Sequence, residues 1–304
     1  MEPGQEPRIT LIGAGTIGLS FAAFHLSHLR SSSHLTIYDT RPNAEQYIRD
    51  SLPKFFRESA TPASISGVKI ATNLQDAVSN AHIVQESGPE NLQIKQELWA
   101  EVEKYAGKDA LLWSSTSGIP ASQQAQGMQD KTRLLVVHPY NPPHIMPLLE
   151  LVPSPSTSQA VIERTEDFWR AHNRVPIQIH QETTGFVANR LAFALLREAI
   201  HLVDSGVVSV AELDKIVESS MVTMPGGGPA GLEGFFKNIG DTVQACWSDA
   251  GSVNVGDGWE QKVFTQAKDA YGTADVAERD RITRRLLDVL DEEKGKKSTA
   301  SPKS

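Results

Sequence analysis

His138 closes an apolar run over residues 133–137 and opens His138-Pro139-Tyr140-Asn141-Pro142-Pro143. An imidazole, with an ordinary pKa of about 6.5, is the side chain best suited to take a proton from a secondary alcohol near neutral pH. Glu150 starts the next apolar run twelve positions on. There it can hold the ring by its other nitrogen and stabilise the imidazolium, as a carboxylate does in hydrolytic triads. Spacing alone leaves a second reading open, in which His138 is a satisfied, partly buried side chain. The prolines flanking Tyr140-Asn141 predict a rigid backbone there and do not identify a reaction.

Residues 8–20 read R-I-T-L-I-G-A-G-T-I-G-L-S, an apolar strand that runs at once into Gly13-Ala14-Gly15-Thr16-Ile17-Gly18. A glycine turn between strand and helix gathers unpaired N–H groups and the positive end of the helix dipole at one point, which suits a pyrophosphate. In this pattern Gly13 allows the tight turn, Gly15 the close approach of the phosphates and Gly18 the packing of helix on strand. Residues 35–39 form a second short strand ending in Asp39, 21 residues past Gly18, where a carboxylate meets an adenine ribose. That charge repels a 2′-phosphate, so NAD is predicted over NADP, although Arg41 lies two residues on. The alternative is a plain strand-turn-helix in which Asp39 is a helix N-cap.

Further strands are predicted at 68–71, 82–87, 110–115, 133–137, 150–152 and 175–179. Helical spacing falls between them at 16–30, 43–59 (interrupted by Pro53), 74–79, 92–105 and 157–172. The alternation predicts an α/β fold: a doubly wound, mainly parallel Rossmann-type sheet with helices on both faces. Ligands bind beyond the carboxyl ends of such strands, and Gly13, Asp39, Ser87, Ser117 and His138 all fall at such ends. From Gly185 strand signals stop, and helical spacing over 186–203, 210–218, 235–247, 258–271 and 275–293 predicts a second, all-helical domain, with a loop at 224–229. The expected division is a dinucleotide-binding domain over 1–182, a helical C-terminal domain for substrate and dimer contacts over 183–293, and a solvated tail over 294–304.

A chain of 304 residues is long enough for two domains, and a net charge of −8 without a basic stripe argues against nucleic acid as a partner. The single cysteine, Cys246, excludes an intrachain disulfide and a thiolate zinc cluster and fits a reducing compartment. The acidic, turn-rich start is unlike a signal peptide, the terminal Pro302-Lys303-Ser304 is not a peroxisomal address, and no window approaches the ~20 apolar residues of a membrane span. A cytoplasmic protein with no membrane partner is expected.

Five segments together resemble the 3-hydroxyacyl-CoA dehydrogenase superfamily, and within it most the λ-crystallin and L-gulonate 3-dehydrogenase branch. They are Gly13-Ala14-Gly15-Thr16-Ile17-Gly18; Glu86-Ser87-Gly88-Pro89-Glu90-Asn91-Leu92; Ser115-Thr116-Ser117; His138-Pro139-Tyr140-Asn141-Pro142-Pro143 with Pro147-Leu148-Leu149-Glu150-Leu151-Val152-Pro153; and Gly185-Phe186-Val187-Ala188-Asn189-Arg190-Leu191. The resemblance implies that His138 is the base paired with Glu150, and that Ser117 and Asn189 hydrogen-bond the substrate oxygen. It implies main-chain contacts from Thr16 and Ile17 to the pyrophosphate, Asp39 on the ribose, and Glu90, Lys95 and Asn141 on the rest of NAD. From spacing alone Ser117 is as well read as a cap for a helix after Ile119, Lys95 and Glu90 as an exposed helical pair, and Asn189 as a polar residue near a helix start.

The resemblance further implies an NAD-dependent dehydrogenase acting on a small hydroxy acid substrate, L-gulonate-like, and a homodimer through the C-terminal helices. The alternatives are a short-chain 3-hydroxyacyl-CoA or carnitine dehydrogenase, and a non-catalytic, crystallin-like NAD-binding protein. Two departures bear on substrate. Acyl-CoA members carry a long helical hairpin between the second and third strands, whereas here only residues 40–67, broken by Pro53 and Pro62, are available. The gulonate branch has an arginine in its glycine-rich C-terminal segment that residues 222–229 lack.

Overall fold

Short apolar runs become strands: β1 (Ile9–Ile12), β2 (Leu35–Tyr38), β3 (Lys69–Ala71), β4 (Ile83–Glu86), β5 (Leu111–Ser114), β6 (Leu134–Pro139), β7 (Leu148–Pro153) and β8 (Val175–Gln178). The structure, a computed structural model, describes residues 6–56, 65–220, 252–271, 280–285 and 288. The strands form one sheet in the order β3-β2-β1-β4-β5-β6-β7-β8. Neighbours from β3 across to β6 are parallel, β7 runs antiparallel to β6, and β8 is parallel to β7. β1, β4, β5 and β6 are buried along their whole length, the pattern of strands covered on both faces.

The covering helices are α1 (Thr16–Leu26), α2 (Ala44–Ser51), α3 (Leu74–Val78), α4 (Leu92–Tyr105), a short α5 (Ala121–Gln124) and α6 (Gln159–Ala171). Successive side chains of a strand point to opposite faces, so β5 sends Leu111 and Trp113 to one core and Leu112 to the other. Trp113 packs with Phe21 and Phe24 of α1 and Trp169 of α6, while Leu112 packs with Trp99 and Val102 of α4. Each large ring removes roughly 150–250 Å² from water, on the order of 4–6 kcal/mol before the entropy of ordering is subtracted.

Two helices end earlier than their spacing suggests. The helix predicted over 16–30 stops at Leu26, because Ser27 Oγ and His28 Nδ1 both bond the carbonyl of Phe24, at 2.7 and 2.9 Å, which a continuing helix would use. α2 gives way to a 3₁₀ turn at Leu52–Phe55 that contains Pro53.

The chain divides into two contact units, one of residues 1–187 with 280–304 and one of 188–279. The second unit's described residues hold α7 (Ala188–Asp204), α8 (Val210–Ser220) and α9 (Glu260–Tyr271), and no strand. The contact boundary lies five residues beyond the expected 182/183, since Phe186 is fully buried in the core of the first unit. Residues 280–285 group with the first unit as well, where Arg284 reaches His144 at 2.8 Å. The loop at 224–229, the helix expected at 235–247 and the tail 294–304 lie outside the described residues. No described helix is long and apolar enough to cross a membrane.

Candidate active site

β6 and β7 pair with His138 directly opposite Glu150. Their side chains meet there, His138 Nδ1 to Glu150 Oε2 at 2.7 Å, both almost fully buried. The other carboxylate oxygen accepts the backbone N–H of Val187 at 2.9 Å. A carboxylate held at both oxygens fixes the imidazole tautomer and orientation and leaves Nε2 as the nitrogen that can meet a substrate proton. Phe186 lies over the ring, 5.2 Å between centroids, and takes a left-handed φ of +53°. That conformation costs a bulky residue free energy and persists only where packing enforces it.

The glycine turn has the shape its spacing predicts. Gly13 has φ +95°, and a Cβ on it would lie 2.7 Å from the Ser87 carbonyl oxygen. A Cβ on Gly18 would lie 1.9 Å from the Gly13 carbonyl oxygen, so here the helix touches its own strand end. A Cβ on Gly15 would meet nothing within 4 Å. Open space over Gly15, at a helix start with no side-chain cap and no acid in its first turn, fits a pyrophosphate, with Thr16 and Ile17 supplying the first helical N–H groups. Asp39 is not a cap for α2, whose N-cap residue is Asn43. Its carboxylate instead accepts the Ala14 N–H at 2.7 Å and pairs with Arg41 at 2.8 Å. Partial burial works to raise the Asp39 carboxyl, but the Arg41 side chain and the two backbone N–H groups outweigh it and hold it below the usual carboxylate range.

Lys95 corrects one expectation. It is 1% exposed, with its ammonium on both oxygens of Glu86 at 2.7 and 2.9 Å, so it is not an exposed partner of Glu90. Asn91 caps α4 by accepting the Ile94 N–H, which sets the turn that aims Lys95 at the sheet. Glu86 also accepts from Ser114 Oγ and Gly88 N, so this buried pair fixes the ends of β4 and β5. Glu90 is occupied too, accepting Thr116 Oγ1 at 2.6 Å and the Ser117 N–H. It clamps the loop that presents Ser117, an exposed residue. Thr116 rather than Ser117 caps the following turn, accepting from Gly118 and Ile119 N–H. Asn141 is exposed and joined to Pro142 by a cis peptide bond. Asn189 is the second residue of α7, in the second unit.

Spacing did not reveal what holds the β6–β7 loop. His144 Nδ1 bonds Ser20 Oγ of α1 at 2.7 Å, and the Arg174 guanidinium bonds the carbonyls of His144, Ile145 and Met146. Nor did it assign Phe186 and Val187 a role, although both stand in one of the motifs quoted above.

A dinucleotide turn at one place on the strand edge and a carboxylate-held imidazole three strands along are the parts of a nicotinamide-dependent dehydrogenase. Residues 8–183 match the family model described as 3-hydroxyacyl-CoA dehydrogenase, NAD binding domain, and residues 185–249 match its C-terminal domain. The chain belongs to the 3-hydroxyacyl-CoA dehydrogenase family, and NAD is its cofactor. It is similar to a 3-hydroxyacyl-CoA dehydrogenase of Gibberella moniliformis, 34% identical with 81% of each chain covered. An L-carnitine dehydrogenase of Pseudomonas putida is 31% identical, covering 95% of this chain and 94% of that one. Among solved structures, 5-formyl-3-hydroxy-2-methylpyridine 4-carboxylic acid 5-dehydrogenase, described as an NAD⁺-dependent dismutase, aligns with a TM-score of 0.75 at 26% identity, over 94% of this chain and 99% of the other.

Proposed function

We propose that this enzyme oxidises the 3-hydroxy group of a small, free, polar acid of the L-gulonate type, or reduces the matching ketone, with His138 as the base. The observation that carries the reading is Glu150 held at both oxygens, by His138 Nδ1 and by the Val187 N–H. In the oxidative direction His138 Nε2 takes the hydroxyl proton, and the imidazolium so formed is stabilised by Glu150. NAD, when bound, supplies the hydride acceptor. Ser117, presented by the Glu90-clamped loop, hydrogen-bonds the substrate oxygen, and the family motif gives Asn189 the same partner. A positioned base of this kind contributes typically ~10²- to 10⁴-fold in rate.

A free acid is favoured over a CoA thioester because only residues 40–67, broken by Pro53 and Pro62, are available between β2 and β3 for the long helical hairpin of acyl-CoA members. L-Carnitine is the second reading within the same class of free 3-hydroxy acids, supported by the near full-length likeness to an L-carnitine dehydrogenase. A homodimer is part of the proposal, supported by Leu191, Phe193, Leu195 and Leu196 of α7, all exposed.

The test is His138→Gln, assayed on L-gulonate and L-carnitine and titrated separately with NADH. Turnover is expected to fall by ~10²-fold or more with NADH affinity unchanged. Full turnover in the variant would remove the assignment of the base.

A further inference from the structure

Asp39 has no lone pair to spare. Oδ1 accepts the Arg41 backbone N–H at 2.9 Å and Arg41 Nε at 2.8 Å, while Oδ2 accepts the Ala14 N–H at 2.7 Å and Arg41 Nη2 at 3.3 Å. Each carboxylate oxygen offers two lone pairs, and here both pairs are engaged. A ribose hydroxyl arriving at Asp39 must therefore displace a donor. The Nη2 contact is the longest and weakest of the set, and it is the first to yield.

The group displaced is well placed for a different ligand. The Arg41 guanidinium lies over the Tyr47 ring, 3.7 Å from its centroid, so an aromatic face supports it when it leaves Oδ2. Arg41 is the outer member of the pair, 31% exposed against 11% for Asp39. A group approaching from solvent meets the cation before the anion, and the paired charges offset the repulsion that a lone carboxylate exerts on a phosphate. A planar guanidinium fork also matches a phosphate in two bonds at once.

We propose that Arg41 sets cofactor choice, and that the chain takes the 2′-phosphorylated dinucleotide NADP as well as NAD, with the guanidinium turning from Asp39 Oδ2 to the 2′-phosphate. The proposal rests on the glycine turn being the dinucleotide seat and not on the identity of the substrate.

The test is fluorescence titration of wild type and Arg41→Gln with NADH and with NADPH, no substrate present. Wild type is expected to bind both, and the variant to lose NADPH affinity by about tenfold or more, the size of one charge-assisted hydrogen bond. Its NADH affinity should hold or tighten, since Asp39 then faces the ribose unpaired, and this arm also reports that the variant is folded. Wild type that binds NADH but not NADPH overturns the proposal and leaves the NAD seat standing. Equal loss of both cofactors in the variant, or an unchanged ratio, overturns it as well. Failure of wild type to bind either overturns the dinucleotide seat itself.

Discussion

At the residue scale, the three glycines of the first turn serve separable purposes, and substitution tells them apart. The open space over Gly15 predicts that Gly15→Val folds with an unchanged melting temperature yet loses NADH affinity by about tenfold or more, its methyl groups standing where phosphate oxygens approach. Gly18→Ala places a carbon 1.9 Å from the Gly13 carbonyl, with backbone on both sides and nothing flexible to give way. It is expected to lower stability by about 3 kcal/mol or more, read by chemical denaturation. Equal melting losses in the two variants would mean that Gly15 too is structural. Single side chains also mark where the sequence was silent. The contact of His138 with Glu150 was anticipated because an imidazole at the end of one apolar run and a carboxylate at the start of the next form a recognisable chemical pair. The left-handed Phe186 was not, because a positive φ at a non-glycine residue is imposed by the surrounding core and not by its neighbours in sequence.

At the element scale, α1 is tied to β4 by a neutral histidine. His25 is 1% exposed among Phe21, Phe24 and Trp169, with Nε2 on Gln85 Oε1 at 2.9 Å. Burial lowers its pKa to about 3, against a weaker opposing pull from Gln85. The unfolded imidazole takes a proton near 6.5 and the folded one only near 3, so between these values the unfolded chain binds more protons and stability falls as pH falls. The loss is on the order of 5 kcal/mol at the acid end of that window. Melting temperature followed from pH 7 downwards is expected to drop faster in wild type than in His25→Leu, whatever their difference at pH 7. Parallel curves would show that other groups dominate acid unfolding. The strands themselves were readable because a strand buried on both faces is a short, nearly unbroken apolar run. The direction of β7 was not. An apolar run has no polarity of its own, and the turn at Pro142-Pro143, held by Ser20 and Arg174 from distant parts of the chain, sends it back along β6.

At the scale of the whole molecule, the base proposed at His138 would meet the same hydroxyl in a free acid or a thioester, so the segments around it set substrate choice. The short stretch 40–67 between β2 and β3, with Pro53 and Pro62 in it, predicts that kcat/KM for L-gulonate or L-carnitine exceeds that for 3-hydroxybutyryl-CoA by at least tenfold, a difference of about 1.4 kcal/mol in transition-state binding. A preference for the thioester would move the enzyme to the acyl-CoA side of its family. The two-unit division was legible as a change from strand to helix periodicity near Gly185. The contact boundary falls beyond it because Phe186 is buried in the core of the first unit although its pattern belongs to the helix that follows.

The antiparallel pairing of β6 with β7 also makes the His138–Glu150 contact a reporter of strand register. Side chains alternate faces along a strand, so sliding β7 by one position would carry Glu150 to the opposite side of the sheet and strand the imidazole without its anion. On the role proposed for His138, a misaligned hairpin is inactive, and the specific activity regained after denaturation counts the molecules in which these two strands found their proper alignment.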